Sequence, residues 1–307
     1  MTSLLKIIDR PYVLLTFAPL FWAGNIVLAR AIIESTSPVG LAFWRWTTAL
    51  LILLPVTWPL LKQDWSTAIR HWKILTILSL LGISAFNTLL YVAVQTTTAI
   101  NGSLMQSSMP AVIIVISLLL FGEKISSVQL GGVGISILGA AIIVLRGDPS
   151  TFLSLAFVDG DLWMALAVVL YALYSALLRN RPSVHPLSFL TVTFALGSMA
   201  LLPLYLGELW STGSNAIQPK VALTILYLAV FPSILAYLCW NRGIEIIGAN
   251  RGGLFINLIP VFASVLAIAV LGESLQTFHF IGMGLIFFGM VLFNRRQLLA
   301  HRRRHSL

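Results

Sequence analysis

The sequence predicts an all-α membrane protein: ten transmembrane helices, as two inverted five-helix repeats around a central cavity, with both termini cytoplasmic. Three observations lead there. The chain of 307 residues is 58% hydrophobic and 9% charged, against roughly 25% charged in soluble domains, which excludes a soluble globular domain. Its basic residues collect on alternate connections. Its second half echoes the first at an offset near 150 residues.

A membrane helix needs about 20 apolar residues, and on that length the spans fall at 11–33, 38–61, 73–94, 98–122, 127–146, 160–180, 186–206, 218–240, 248–271 and 277–295. The first follows Lys6 and Arg10 and shows no cleavage site, so it reads as a retained span and not a signal peptide. The second opens at Pro38, and beyond it Trp58, Trp65 and Trp72 flank Lys62, Arg70 and Lys73 as an interfacial belt. The third and fourth share a charge-free stretch of 49 residues, Ile74 to Gly122, which must fold back at the polar run Gln95, Thr96, Thr97, Thr98. The fifth and tenth carry Gly131, Gly132, Gly134, Gly139 and Gly282, Gly284, Gly289; such small residues let helices approach closely, within the chain or across a dimer. The sixth starts after Asp159 and ends at Arg179, and the seventh starts at Pro186. The eighth runs toward Arg242, and the ninth carries Arg251 at its start and ends before Gly272–Glu273. Residues 1–146 form the first repeat, 147–159 an external linker, 160–296 the second repeat and 297–307 a basic tail.

With the N-terminus inside, inner segments hold fifteen Lys and Arg, outer segments three (Arg30, Arg146, Lys220), and Arg45 remains within a span. The positive-inside rule therefore sets both termini in the cytoplasm. The tail HRRRHSL reads as an anchor on anionic lipid, not a nucleic-acid site. Cys239 is alone and reads as a packing residue. Zinc-type spacing, a nucleophile elbow and a P-loop are absent, so no metal, cofactor or enzymatic constellation is expected.

The repeat is written in residues with specific backbone or charge roles. At an offset of 150, Ala99, Gly102, Leu104, Pro110, Val115, Gly122, Glu123, Gly132, Gly134 and Gly139 fall on Ala249, Gly252, Leu254, Pro260, Val265, Gly272, Glu273, Gly282, Gly284 and Gly289. At 148, Pro38 meets Pro186; at 149, Ala23 meets Ala172. Five spans per half is an odd number, so the second half crosses in the opposite sense, the plan of transporters with inverted repeats.

These residues resemble a known family. FWAGNIVLAR in the first span, FWRW after Pro38, and the twice-occurring G-x-L, Pro, GE helix followed by a Gly-rich span are similar to the EamA family of the drug/metabolite transporter superfamily. The size and aromatic-rich spans most resemble its YddG-type amino acid exporters. The resemblance implies a ten-helix basket with a central cavity, exporting metabolites from the cytoplasm.

Polar side chains within spans prefer the bundle interior. Trp22 with Asn25, Asn87 with Tyr91, Tyr171 with Tyr174, and Tyr237 with Asn241 are three or four apart and share helix faces, so they are candidates for one cavity. Trp163 lies on nearly the same side as Tyr171; for Trp163 and Tyr237, cavity and aromatic belt are both open. Arg45 stands mid-span, with Thr193 as its repeat partner. It fits substrate contact, a structural hydrogen bond or snorkelling. Asn257 is a further candidate for a substrate carboxylate. Pro110 and Pro260 each remove a helical bond to the carbonyl four residues earlier, at Gln106 and Ile256, and with Gly102 and Gly252 are candidate hinges whose freed carbonyls suit an ammonium.

No carboxylate lies mid-span, which counts against a carboxylate proton relay, and one buried cation is too few for sugar phosphates. The expectation is an inner-membrane exporter of neutral or zwitterionic metabolites, above all aromatic and other apolar amino acids, working by alternating access as a monomer or homodimer among membrane lipids. A drug or other-metabolite exporter of the same fold is the alternative.

Overall fold

Gly132 and Gly139 face Gly289 and Gly282 so closely that a Cβ on either would lie 2.8 or 2.6 Å from a glycine carbonyl oxygen of the other helix. The computed structural model that shows this describes residues 10–32, 36–97, 99–153, 158–212, 219–271 and 276–305. Lys6, Glu34, Thr98, Gly272, Glu273 and the last two residues of the basic tail lie outside it.

Among the described residues the secondary structure is helical, without strands. The rods are α1 (Pro11–Ile32), α2 (Pro38–Arg70), α3 (Trp72–Thr96), α4 (Ala99–Ser107 continued by Met109–Phe121) and α5 (Ser127–Val144). After a short helix at Pro149–Leu153 follow α6 (Asp159–Leu177), α7 (Pro186–Thr212), α8 (Pro219–Ile247), α9 (Ala249–Gly252, a 3₁₀ stretch Gly253–Asn257, then Leu258–Leu271) and α10 (Thr277–His305). Eight helices among the described residues are long and apolar enough to cross a membrane, and Met109–Phe121 is a shorter apolar one.

Several helices outrun the apolar spans. α2 continues to Arg70, past the expected end at 61, and only His71 separates it from α3. No Gly or Pro lies between Lys62 and Arg70, so nothing in the backbone ends the helix where the apolar run stops. Trp58, Trp65 and Trp72 along this segment are all exposed. The start of α2 is specified locally: Ser37 accepts from the Gly40 N–H at 2.9 Å and Pro38 occupies the first turn. A capping box of Ser126 and Gln129 opens α5. Asp159 and Asp161 lie in the first turn of α6, as expected of span ends.

The two halves share their irregularities. α3 widens into a π turn at Leu80–Ala85, and α8 does so at Ala229–Leu235, about 150 residues later. In α8 the turn contains Pro232, which supplies no N–H to the regular ladder. α4 breaks at Ser108 (φ −78°, ψ −14°), and α9 changes from 3₁₀ to α at Leu258 (φ −77°, ψ −13°). Each break lies two residues before a proline, Pro110 or Pro260, whose ring clashes with the carbonyl four residues back. At both positions where a kink was expected the regular α ladder is interrupted.

α5 and α10 are equivalent helices packed antiparallel on each other. Gly132 meets Gly289 and Gly139 meets Gly282, while the repeat pairs Gly132 with Gly282 and Gly139 with Gly289. Such reciprocal contacts are what a local two-fold axis produces. Of the two readings of these glycines, packing within the chain accounts for those four. Gly131, Gly134 and Gly284 have nothing within 4 Å of a built Cβ.

Candidate functional site

The site grows from the two π turns. A widened turn leaves carbonyls outside the regular i to i−4 ladder, and polar side chains take them here. In α3, the Gly82 carbonyl accepts from the Tyr237 hydroxyl at 2.5 Å and from Asn87 Nδ2 at 3.1 Å. In α8, the Pro232 carbonyl accepts from Arg45 Nη2 and from Trp22 Nε1, each at 3.1 Å.

Arg45, on α2, is 1% exposed. Its Nε donates to Ser233 Oγ at 2.6 Å, and its Nη1 to Asn87 Oδ1 and Tyr91 Oη, each at 2.8 Å. Its guanidinium lies 4.6 Å from the Trp46 ring centroid. The fork on α2 is thus held by side chains and a carbonyl of α3 and α8, which excludes snorkelling. Every partner is neutral; no ion pair to Arg45 occurs among the described residues. Thr193, the repeat partner, donates only to carbonyls of its own helix, Phe189 and Leu190.

Around this fork the halves exchange residue types at equivalent places. Tyr91 on α3 donates to Asn25 on α1 at 3.1 Å, and Tyr174 on α6 donates to Asn241 on α8 at 2.8 Å. Position 91 corresponds to 241 and 25 to 174, so one tyrosine–asparagine bond is made twice with donor and acceptor interchanged.

A cavity of about 30 Å³ adjoins the fork. Trp22, Asn25, Arg45, Asn87, Tyr171 and Tyr237 line it, and so do Gln106 and Ile256, the residues four before the two prolines. At roughly 10–15 Å³ per water the cavity admits about two waters. An amino acid does not fit this conformation, so binding one requires the helices to separate.

The remaining candidates lie elsewhere. Tyr91 is buried behind Arg45, and Tyr174 and Asn241 form a second layer, the Tyr174 ring covering Gly82. Asn257 donates to Ser136 at 3.0 Å and ties α9 to α5 away from the cavity lining. Trp163 is 44% exposed and does not line the cavity; Tyr237, for which cavity and belt were equally open, is buried and lines it. Gly102 and Gly252 precede the breaks by six residues. A Cβ at Gly252 would strike Ile244 Cδ1 at 2.3 Å, and its backbone is ordinary α, so it fits close contact better than bending. Sequence reasoning missed Ser233 and the Pro232 carbonyl. The run Phe231-Pro232-Ser233 was the available signal, a proline inside an apolar span.

At one end of the molecule Glu123, after α4, pairs with Arg179 at 2.5 Å and accepts from Asn250 at 2.9 Å, joining α4, α6 and α9.

This doubled architecture has known relatives. The profile of the EamA-like transporter family matches residues 10–145 and again 158–295. The chain belongs to the EamA-like transporter family. It is thereby a multi-pass membrane transporter of the drug/metabolite superfamily and not an enzyme. Among relatives of this EamA protein, an uncharacterized transporter of Bacillus subtilis, YyaM, is 29% identical, covering 91% of this chain and 92% of that one. A probable terminal-alkyne amino-acid exporter of Streptantibioticus cattleyicolor is 26% identical, covering 90% and 91%. A solved structure described as "Crystal structure of protein" superposes with a TM-score of 0.72 at 19% identity over 95% of this chain and 98% of that one, a likeness of fold.

Proposed function

We propose that this EamA protein exports zwitterionic metabolites, above all neutral amino acids with apolar or aromatic side chains, across the inner membrane by alternating access. On this reading α1 to α10 all cross the membrane, the halves are inverted, both termini are cytoplasmic, and the substrate binds at the cavity beside Arg45.

The observation that carries the proposal is a buried guanidinium at a cavity with only neutral partners. Burying an unpaired charge is costly, and a substrate carboxylate supplies the missing anion through Arg's planar fork. Asn25 and Asn87 sit beside it as amide partners, and the aromatic walls suit an apolar side chain. The name of the S. cattleyicolor relative supports an amino-acid cargo. With no fixed acid in the cavity lining, affinity is weak, which suits release, and coupling to protons is weak or absent.

Counterflow in proteoliposomes tests this. Phe, Trp, Met and Leu are expected to exchange and compete, and Glu, Lys and hexose phosphates to compete little. Strong competition by a sugar phosphate, or no counterflow of any amino acid, overturns the proposal; transport of drugs alone selects a drug exporter of the same fold.

A further inference from the structure

Arg45 holds its charge beside a cavity whose lining contains no acidic side chain. Its Nε donates to Ser233, its Nη1 to Asn87 and Tyr91, and its Nη2 to the Pro232 carbonyl. A guanidinium has five N–H bonds, so one on Nη2 is left without an acceptor among the described residues. Other donors around the same cavity are also unspent. The Tyr171 hydroxyl is buried without a hydrogen-bond partner among the described residues. Asn25 acts there as an acceptor only, its Oδ1 taking the Tyr91 hydroxyl at 3.1 Å and Arg45 Nη1 at 3.5 Å. Gln106, 8% exposed, lines the cavity, and its amide has no hydrogen bond among the described residues.

Size and charge together narrow the ligand. The cavity of about 30 Å³ admits about two waters and no amino acid. Water satisfies the donors but leaves the guanidinium charge uncompensated, and a buried charge without a counter-charge is far costlier than an unmade hydrogen bond between neutral groups. A halide ion is little larger than a water molecule, carries the one negative charge that is missing, and accepts from donors in any direction. The guanidinium repels a cation, and the volume excludes an anion as large as gluconate.

We infer that the cavity beside Arg45 is a site for a small monovalent anion of the halide class, chloride above all, which takes the place of the cargo's carboxylate while the helices are closed. The site requires no cargo; its competition with cargo rests on the amino-acid reading above. One guanidinium serves both, so halide and amino acid displace each other.

The full-length protein in detergent, kept at constant ionic strength with sodium gluconate, is titrated with sodium chloride or sodium bromide while thermal unfolding is followed. A ligand bound by the folded state alone raises the melting temperature with its concentration, so both halides are expected to raise it above the gluconate value. No halide-specific rise overturns the site. Arg45→Gln should abolish the rise, and Tyr171→Phe should increase the halide concentration needed for a given rise by about tenfold; an unchanged halide response in either variant overturns the inference. If Arg45→Gln does not fold, Tyr171→Phe and the comparison of halide with gluconate on the unaltered protein decide.

In proteoliposomes, replacing gluconate by chloride should raise the leucine concentration at half-maximal counterflow and leave the maximal rate as it was. A thermal response with leucine exchange untouched by chloride overturns the shared guanidinium. Leucine exchange with no thermal response to halide overturns the site and leaves the amino-acid reading standing. A thermal response with no amino acid exchanged overturns that reading and leaves the halide site standing.

Discussion

Asn87 donates through Nδ2 to the hydroxyl of Tyr237 at 3.4 Å, and these two residues are each other's equivalents in the two halves. Equivalent residues meet only at the axis that relates the halves, so the axis runs beside the cavity both of them line. Trp22 and Tyr171, equivalent at an offset of 149, also touch. The backbone frame around the site is thus nearly symmetric, while its chemistry is not: Arg45 stands on one side and Thr193 on the other. A ligand with unlike ends therefore has one preferred orientation.

The Arg45 fork is expected to be irreplaceable by a point charge. Lysine cannot reach Ser233, Asn87, Tyr91 and the Pro232 carbonyl together. Arg45→Lys should lower amino-acid exchange at least tenfold, and Arg45→Ala, which leaves these acceptors unpaired, should destabilise by about 1–3 kcal/mol or more. Exchange assays and thermal unfolding in detergent check both; an Arg45→Lys protein with unaltered exchange refutes the carboxylate role.

The glycine contacts predict opposite outcomes for neighbouring alanine substitutions. A Cβ at Gly139 would lie 2.6 Å from the Gly282 carbonyl oxygen, whereas one at Gly134 meets nothing within 4 Å. Gly139→Ala should destabilise by about 1–3 kcal/mol through overpacking. Gly134→Ala should be neutral or stabilising by up to about 1 kcal/mol, from helix propensity. Equal melting temperatures for the two variants would contradict the packing described here.

Pro110 and Pro260 are expected to serve as hinges, since the cavity must enlarge to admit a substrate and both breaks adjoin it through Gln106 and Ile256. Alanine restores the missing N–H and should straighten the rods. Pro110→Ala and Pro260→Ala should each slow exchange and shift the labelling of cysteine probes in the cavity. The hinge role is lost if both variants leave rate and labelling as they were.

Trp163→Leu should change substrate affinity less than twofold, because this ring is 44% exposed and stands apart from the cavity. Competition assays decide it, and a larger loss would return Trp163 to the site.

The charge asymmetry predicts that reporters fused after residue 307 report from the cytoplasm and those within 147–153 from outside. A periplasmic C-terminus would sink both the inverted topology and the export direction.

The helical class, the two-part architecture and the positions of the helix breaks before Pro110 and Pro260 were legible in the chain, because they rest on local causes. Apolar length makes a span, proline removes one particular bond, and repeated Gly and Pro mark equal places in paired helices. Helix ends were less legible: α2 runs on to Arg70 because leaving an apolar run does not stop a helix that has no breaker. Of the site, Trp22, Asn25, Asn87, Tyr171 and Tyr237 could be proposed from shared helix faces and Arg45 from its charge within a span, and these line the cavity. The sorting of that face into layers needed tertiary structure. Tyr91, Tyr174 and Asn241 differ from their neighbours only in depth, and depth depends on how α1, α3, α6 and α8 cross. Ser233 and the Pro232 carbonyl were hidden for a related reason. A π turn shifts the register of side chains and carbonyls, so the partners of Arg45, up to 188 residues away, are decided by the meeting of distant helices and not by spacing along any one of them.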